Sequence, residues 1–225
     1  MSSFDFELNS FPEGFDEIEE GVYFKHYGIN MRDYDALRDK TESDSFGCFE
    51  DKTLLWQKEI SMNCNCIAMK SIIDGSLGDT EIKQNRIMEE CIERGLFQKH
   101  CGSSFDDFLE MLKINFSNQA EKTMMVDVVS NSGLQELAQS VESDEEIICY
   151  VNMMFLDYDG DSDFIGLNSD GLVHVIGITF SDSNGDYVII NDVEKDNGAG
   201  RKIALDRFIK SWSTSNYTAI TVDWR

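Results

Sequence analysis

The sequence predicts an α+β fold, in which an N-terminal helical half packs on a C-terminal antiparallel sheet. Apolar residues recur at helical spacing between residues 64 and 112. From residue 146 onwards they form β-branched and aromatic runs, separated by Asp, Gly, Ser and Asn turns. With 41% hydrophobic residues and a single proline among 225 residues, the chain can bury a sizeable core. Because helices and strands are segregated along the chain, we expect a helical layer on a sheet.

Four helices are predicted in the first two thirds of the chain, over residues 64–73, 79–95, 105–112 and 133–140. Asp74-Gly75 is a stop signal after the first helix. Ser103-Ser104 is a capping signal before the third, because a serine side chain accepts a hydrogen bond from the free N–H groups of a first turn. Apolar residues at helical spacing give the second and third helices a buried stripe.

Strands are predicted over residues 146–156, 171–180, 186–190 and 217–224, with a short helix over residues 204–212 before the last of them. The tetrapeptide Asp182-Ser183-Asn184-Gly185 predicts a hairpin between the second and third strands. These two strands are therefore expected to be antiparallel neighbours.

The charge balance excludes two classes of partner. The chain has 19 basic and 43 acidic residues, which gives a net charge of -24. Binding to nucleic acid needs clustered Lys and Arg, and anionic membranes repel an acidic surface. We therefore predict no nucleic-acid and no membrane partner, and expect a basic protein or peptide as substrate. The sequence makes no prediction of oligomeric state.

The first 50 residues differ from the rest of the chain. They carry 13 acidic and 4 basic residues, together with scattered aromatic residues such as Phe4, Phe6 and Phe11. A disordered tail usually contains fewer aromatic residues. We therefore predict a partly mobile acidic extension over residues 1–50 and a main domain over residues 51–225. An autoinhibitory role, in which the aromatic residues of the extension occupy a substrate groove, is one possible function of this segment.

Targeting and metal signals are absent from the sequence. The N-terminus has neither a basic start nor an apolar run, and no apolar stretch is long enough for a membrane helix. The six cysteines are therefore expected to be free thiols in a reducing compartment, which predicts a cytoplasmic protein, or one exported without a cleavable signal peptide. We predict no cofactor and no metal, because Cys64-Asn65-Cys66 has no second Cys/His pair and the acidic run 157–163 lacks the Gly and Glu of a calcium loop.

Four residues carry the chemistry that the sequence predicts. Cys64 lies at a helix start, where backbone N–H groups and the helix dipole favour a thiolate. His174 lies inside an apolar strand run, and Asp192 follows the next strand, where a carboxylate can orient the imidazole. Gln57 precedes the cysteine and can donate to a developing oxyanion. A lone strand histidine also suits a hydrogen-bonded core, but together these four groups are what acyl transfer through a thioester needs.

The order of these residues resembles the papain-like cysteine peptidase superfamily, and within it the bacterial branch typified by bacteriocin leader peptidases. Trp56-Gln57 matches the family's W-Q … C pattern, and residues 64–75 (CNCIAMKSIIDG) match its nucleophile helix. Residues 174–178 (HVIGI) match its H-V-V-x-G strand, and residues 187–192 (YVIIND) match its Y-V-x-V-N-D-P strand. Residues 208–212 (FIKSW) match its F … W helix. The resemblance covers roughly residues 51–220.

Two assignments stay open within this resemblance. Cys66 is a rival nucleophile, because residues 66–69 (CIAM) resemble the family's C-W-A-F, whereas the spacing to the end of the helix favours Cys64. Asn191 could orient the imidazole in place of Asp192, although the phrase N-D favours Asp192.

The resemblance implies a papain-like fold and a thiol hydrolase that cleaves a peptide or isopeptide bond. Cys64 would attack as a thiolate, His174 would move the proton, Asp192 would hold the imidazole, and Gln57 with the Cys64 N–H would stabilise the oxyanion. We favour this enzyme over two alternatives. An acyltransferase would use the same residues, because the thioester intermediate is shared. A catalytically silent acidic binding protein on the same scaffold, immunity- or inhibitor-like, would suit the net charge of -24.

Overall fold

The computed structural model describes residues 16–19, 22–28, 45–46, 64–77, 84–96, 104–114, 123–130, 132–157, 170–180, 185–193 and 195–225. The helices in these ranges are α1 (Cys64–Leu77), α2 (Gln84–Glu93), α3 (Phe105–Leu112), α4 (Leu134–Glu142), α5 (Met153–Asp157) and α6 (Leu205–Ser213). The strands are β1 (Asp16–Glu19), β2 (Val22–Gly28), β3 (Ser45–Phe46), β4 (Met124–Ser130), β5 (Glu146–Asn152), β6 (Asp170–Thr179), β7 (Tyr187–Asn191), β8 (Arg201–Ala204) and β9 (Ala219–Trp224). None of these helices is long and apolar enough to cross a bilayer.

The described strands form one sheet in the order β1-β2-β4-β9-β5-β6-β7-β8, and β3 pairs with β6 beside this path. β2 runs parallel to β4, whereas the other described strand pairs are antiparallel. β6 and β7 are antiparallel neighbours, as the predicted hairpin requires. Gly185 lies just before β7 with a φ of +76°, a left-handed conformation that glycine adopts without strain.

Helices cover both faces of the sheet, and each face has its own core. The first core lies between the sheet and α1, α2 and α3. Its buried helical residues are Cys66, Ala68, Met69, Ile72, Ile73, Ile87, Cys91, Phe108, Met111 and Leu112. The second core lies under α4, α5 and α6. Its buried helical residues are Leu134, Leu137, Ala138, Val141, Met153, Leu156, Leu205, Phe208 and Trp212.

β6 is buried on both faces, because successive side chains of a strand point to opposite sides of a sheet. Leu172 belongs to the first core, whereas Val173 and Val175 belong to the second. Every residue of β6 after Asp170 is buried. A continuous apolar run, rather than an alternating one, is what such a central strand requires.

The sequence prediction of an α+β fold is confirmed. α1 begins at Cys64 as predicted and continues to Leu77, four residues beyond the predicted end at residue 73. The strand predicted over residues 146–156 is wrong in its last part, because β5 ends at Asn152 and α5 follows. The Asn152 side-chain oxygen accepts a hydrogen bond from the Met154 N–H at 3.0 Å, which favours the start of a helix at this point.

Two parts of the sheet are not predicted by the sequence pattern. β4 (MMVDVVS) and β8 lie in segments that carry neither clear alternation nor a hairpin signal. The predicted N-terminal extension, residues 1–50, contributes β1, β2 and β3 to the same sheet as the rest of the chain. The sheet therefore runs across the predicted boundary at residue 50.

The predicted cap of the third helix is present as a capping box. The Ser104 hydroxyl accepts a hydrogen bond from the Asp107 N–H at 3.1 Å, and the Asp107 carboxylate accepts one from the Ser104 N–H at 2.7 Å. Each of these bonds satisfies a backbone N–H near the helix start, which the helix itself leaves without a partner.

Replacing Ser104 with alanine should lower the free energy of unfolding by about 1 kcal/mol, because the cap bond is lost. Urea denaturation of wild type and variant measures this difference. Ser104→Asn is the matched control, since asparagine caps helices as well as serine does. Equal midpoints for the alanine variant and wild type would show that the cap contributes nothing.

Candidate active site

Cys64 is the first residue of α1. The free N–H groups of a helix's first turn and the positive end of its dipole favour an anion at this position. Within the described residues, α1 packs against β5, β6 and β9, so its start belongs to the face of the sheet that holds the first core.

Asn65 ties the start of α1 to the neighbouring helix α3. Its side-chain Nδ2 donates a hydrogen bond to the carbonyl oxygen of Ser104 at 2.9 Å, and the residue is 3% exposed. Ser104 is the N-cap of α3, so this bond joins two helix N-termini. The asparagine beside the predicted nucleophile thus has a structural role that the sequence analysis did not identify.

His174 lies in the middle of β6 and faces the layer that contains α1. Its strand neighbours Val173 and Val175 point into the second core, so His174 points to the opposite side. Its cross-strand partner on β5 is Ile148, which belongs to the first core. Directly opposed residues share a face, which places the imidazole on the face that α1 covers.

A buried carboxylate lies against this histidine. Oε2 of Glu146, the first residue of β5, lies 2.6 Å from Nε2 of His174, and the two side chains are 2% and 3% exposed. The angle of the contact departs from that of a hydrogen bond, so the contact is close in distance but bent. Nδ1 of the imidazole is buried and has no hydrogen-bond partner among the described residues.

The sequence pattern does not identify Glu146. An acidic residue that opens an apolar strand usually marks the solvated end of that strand, and nothing in the run EIICYVN indicates otherwise. The one available signal is the alternation of the strand, which places Glu146 and Ile148 on the same face.

Asn191 and Asp192 differ in their position relative to His174. Asn191, the last residue of β7, is in register with His174 and therefore shares its face, and its Oδ1 accepts a hydrogen bond from the Gly200 N–H at 3.1 Å. Asp192 lies one residue beyond the strand and is fully buried, with its Oδ2 2.5 Å from an Arg201 guanidinium nitrogen.

Arg201 bridges two acidic residues. Besides Asp192, it contacts the Asp157 carboxylate at 2.8 Å and donates to the Leu156 carbonyl oxygen at 3.3 Å. Lys195 lies 2.5 Å from the other oxygen of Asp157. This cluster ties the end of α5 to the segment between β7 and β8. Burial acts to raise the pKa of Asp157, but the hydrogen bonds from Lys195 and Arg201 outweigh it and hold the pKa below its usual value.

Replacing Asp157 with asparagine should remove an acid-sensitive part of the stability. A carboxyl whose pKa is lowered on folding contributes stability that is complete above its unfolded pKa of about 3.9, and that is lost as the pH falls through the lowered folded value. The pair is partly exposed, so we expect a contribution of about 0.5–1 kcal/mol. Urea denaturation at about pH 6 and about pH 3 should show a larger fall in wild type than in Asp157→Asn, and equal falls would contradict the assignment.

The three cysteines whose side chains the structure describes are all buried thiols. Cys66 is fully buried in the first core, as is Cys91, and Cys149 is fully buried in the second. Burial raises the pKa of the Cys149 thiol, which makes it a poor nucleophile. The described residues contain no group of three or more His, Cys, Asp or Glu side chains that could hold a metal ion. Gln57 lies outside the described residues.

No protein-family model and no curated protein matches this chain. Among solved structures, it is similar to a C39-like peptidase from Bacillus anthracis, with a TM-score of 0.50 and 14% sequence identity over 74% of this chain and 91% of that one. The fold is papain-like. A recombinant stem bromelain precursor also matches, with a TM-score of 0.48 and 14% identity over 86% of this chain and 74% of that one.

In this fold the helix that Cys64 begins packs on the sheet face that carries His174. Asn191 shares that face by strand register, whereas the ion pair of Asp192 is with Arg201. The charged group that lies closest to the imidazole in the described part of the chain is Glu146.

Proposed function

We propose that this protein is a thiol hydrolase that cleaves a peptide or isopeptide bond, with Cys64 as nucleophile and His174 as general base. The observation that carries the proposal is the position of His174, which is buried on the sheet face covered by the helix that Cys64 begins. The burial of Cys66 in the first core supports Cys64 over its rival, because a nucleophile must reach the substrate.

The reaction follows from these two residues. His174 takes the proton of the Cys64 thiol, and the thiolate attacks the carbonyl carbon to form a tetrahedral oxyanion. The Cys64 backbone N–H and the Gln57 amide are the proposed donors to that oxyanion. The imidazolium gives its proton to the leaving amine as the C–N bond breaks and a thioester remains. His174 then takes a proton from water, which attacks the thioester, and returns it to the departing sulfur as the acid product is released.

A polar group must keep the imidazole in place during these steps. The sequence assigns this role to Asp192, with Asn191 as the alternative. The strand register supports Asn191, because it shares the His174 face, whereas the Asp192 carboxylate forms an ion pair with Arg201.

We propose that the substrate is basic. The chain carries a net charge of -24, so its surface potential attracts cationic peptides and repels acidic ones. The attraction is screened by salt, because the Debye length falls to about 8 Å at physiological ionic strength and about 3 Å at 1 M.

The apparent KM for a lysine-rich peptide should therefore rise with salt, whereas the KM for a neutral peptide of the same length should change little.

The test is labelling by an epoxysuccinyl thiol probe, followed by turnover of a basic peptide library. We expect wild type to be labelled at Cys64, and Cys64→Ala to lose both labelling and turnover. Cys66→Ala is the matched control from the same helix and should retain both. Labelling at Cys66 instead would identify Cys66, and not Cys64, as the nucleophile. Absence of labelling, with salt-dependent binding of a basic partner that Cys64→Ala retains, would identify the catalytically silent binding protein.

An acyltransferase is the remaining alternative, because the same thioester can be attacked by an amine or an alcohol in place of water. Product analysis with an added amine separates the two. A hydrolase gives mainly the free acid, whereas a transferase gives mainly the amide of the added amine.

A further inference from the structure

We propose that Glu146 is the positioning residue of the thiol centre, holding the His174 imidazole through Nε2 from the strand β5. This inference rests on the proposed function, in which His174 exchanges a proton with Cys64. It adds a residue that the sequence resemblance does not assign, from the strand on the other side of β6 from Asn191 and Asp192.

The short distance and the burial of the pair support this role. Oε2 of Glu146 lies 2.6 Å from Nε2 of His174, and both side chains are almost completely buried. β5 and β6 are central strands of the sheet, and Ile148 is the direct cross-strand partner of His174, so Glu146 approaches the ring diagonally from two residues away. A carboxylate on a central strand is fixed more rigidly than one on a loop.

The electrostatics of the pair point in the same direction. A buried carboxylate is costly unless charge or hydrogen bonds stabilise it, and the His174 ring lies 2.6 Å from this one. The reaction creates an imidazolium when the thiol proton moves to His174. A carboxylate already in place stabilises that state without any rearrangement at the moment of reaction.

The contact also selects the nitrogen that reacts. With Nε2 turned to Glu146, Nδ1 is the ring nitrogen left to take the thiol proton. Both ring nitrogens are buried and neither makes a hydrogen bond in the part of the chain that the structure describes, but Nε2 lies 2.6 Å from a carboxylate oxygen. A neutral imidazole that carries its proton on Nε2, facing the carboxylate, has the free lone pair on Nδ1 that a general base needs.

Asp192 is less suited to this role, because its carboxylate is engaged elsewhere. Its Oδ2 lies 2.5 Å from Arg201, which also contacts Asp157. The guanidinium neutralises much of the negative charge that an imidazolium would otherwise feel. Asp192 therefore serves to anchor the segment between β7 and β8, and Glu146 supplies the charge beside His174.

The test compares Glu146→Gln with Asp192→Asn, a matched pair in which each variant exchanges a carboxylate for an amide. Two readouts are followed on the full chain: the rate of iodoacetamide alkylation at Cys64, resolved by peptide mass spectrometry, and the NMR signature of the His174 ring, which reports the nitrogen that carries the proton. The chain has only three histidines, so His174→Ala assigns the resonance.

We expect Glu146→Gln to slow alkylation of Cys64 by about tenfold or more near neutral pH, since losing an interaction worth one pKa unit lowers the thiolate population by about a factor of ten. It should also remove the Nε2–H signature of His174, whereas Asp192→Asn should keep that signature. Glu146→Asp, which retains the charge, should recover part of the rate and most of the signature. It serves as the test if Glu146→Gln fails to fold by circular dichroism.

The inference is overturned if Glu146→Gln keeps the wild-type rate and ring signature, or if Asp192→Asn alone removes them. Failure of the proposed function looks different. In that case Cys64 of wild type would react no faster than an ordinary exposed thiol, while the ring signature of His174 would still respond to Glu146.

Discussion

Replacing His174 with alanine should slow the alkylation of Cys64 by about 100-fold at about pH 6.5. An ordinary thiol with a pKa of about 8.5 is only about 1% ionised at that pH, whereas a thiolate paired with an imidazolium is ionised almost completely. The effect is large because the two groups act as one unit: without the base, only the N-terminus of α1 favours the anion. The measurement is the pH dependence of alkylation at each cysteine by peptide mass spectrometry.

His100→Ala is the control for this experiment, since it removes a histidine that has no assigned role. It should leave the reactivity of Cys64 unchanged. The buried thiols Cys91 and Cys149 provide an internal reference in the same digest, because both are inaccessible in the folded protein. A wild-type profile in which Cys64 reacts like an ordinary thiol, with or without His174, would contradict the thiolate–imidazole pair.

Replacing Trp212 with alanine should lower the free energy of unfolding by about 3–5 kcal/mol, the range observed for large aromatic residues in cores. The residue is fully buried, and its Nε1 donates a hydrogen bond to the Thr218 carbonyl oxygen at 2.8 Å. Its ring lies 5.7 Å from that of Phe208 and 5.5 Å from that of Tyr217, which it meets edge to face. Such pairs add to the energy of burial.

The size of this loss matters because domains are stable by only about 5–15 kcal/mol in total. Guanidinium denaturation followed by circular dichroism is the measurement. Trp224→Ala is the matched control, since Trp224 is only partly buried against the first core and should cost less. Equal losses for the two variants would show that the burial of Trp212 in the second core contributes no more than that of a partly buried tryptophan. Trp212→Phe should retain much of the packing while losing the bond to Thr218.

The sequence predicted those parts of the fold that have strong local signals. The start of α1 at Cys64 and the cap at Ser104 follow from the chemistry of helix ends, which acts within a few residues. β6 follows from an apolar run bounded by turn residues. β4 has no such boundary, and its place between β2 and β9 is set by pairing with segments about 100 residues away on either side, which no local window contains.

The residues of the candidate site also differ in whether a local sequence signal predicts them. His174 is predictable, because a histidine in a long apolar strand is unusual. Glu146 is not, because its burial depends on the pairing of β5 with both β6 and β9. The partner of Asp192 was also unpredictable, since Arg201 reaches it from β8, a strand the sequence pattern does not mark. Sequence periodicity does not identify side chains that come into contact only through the order and pairing of the strands.

The parallel pairing of β2 with β4 restricts how the N-terminal segment can be removed. β2 lies inside the sheet, between β1 and β4, so cutting the chain at residue 50 strips away β1, β2 and β3 together. β4 would then become an open edge, whose bare N–H and C=O groups invite pairing with another chain. A maturation cleavage that relieved autoinhibition through this segment, without exposing a surface prone to aggregation, would have to fall before Asp16.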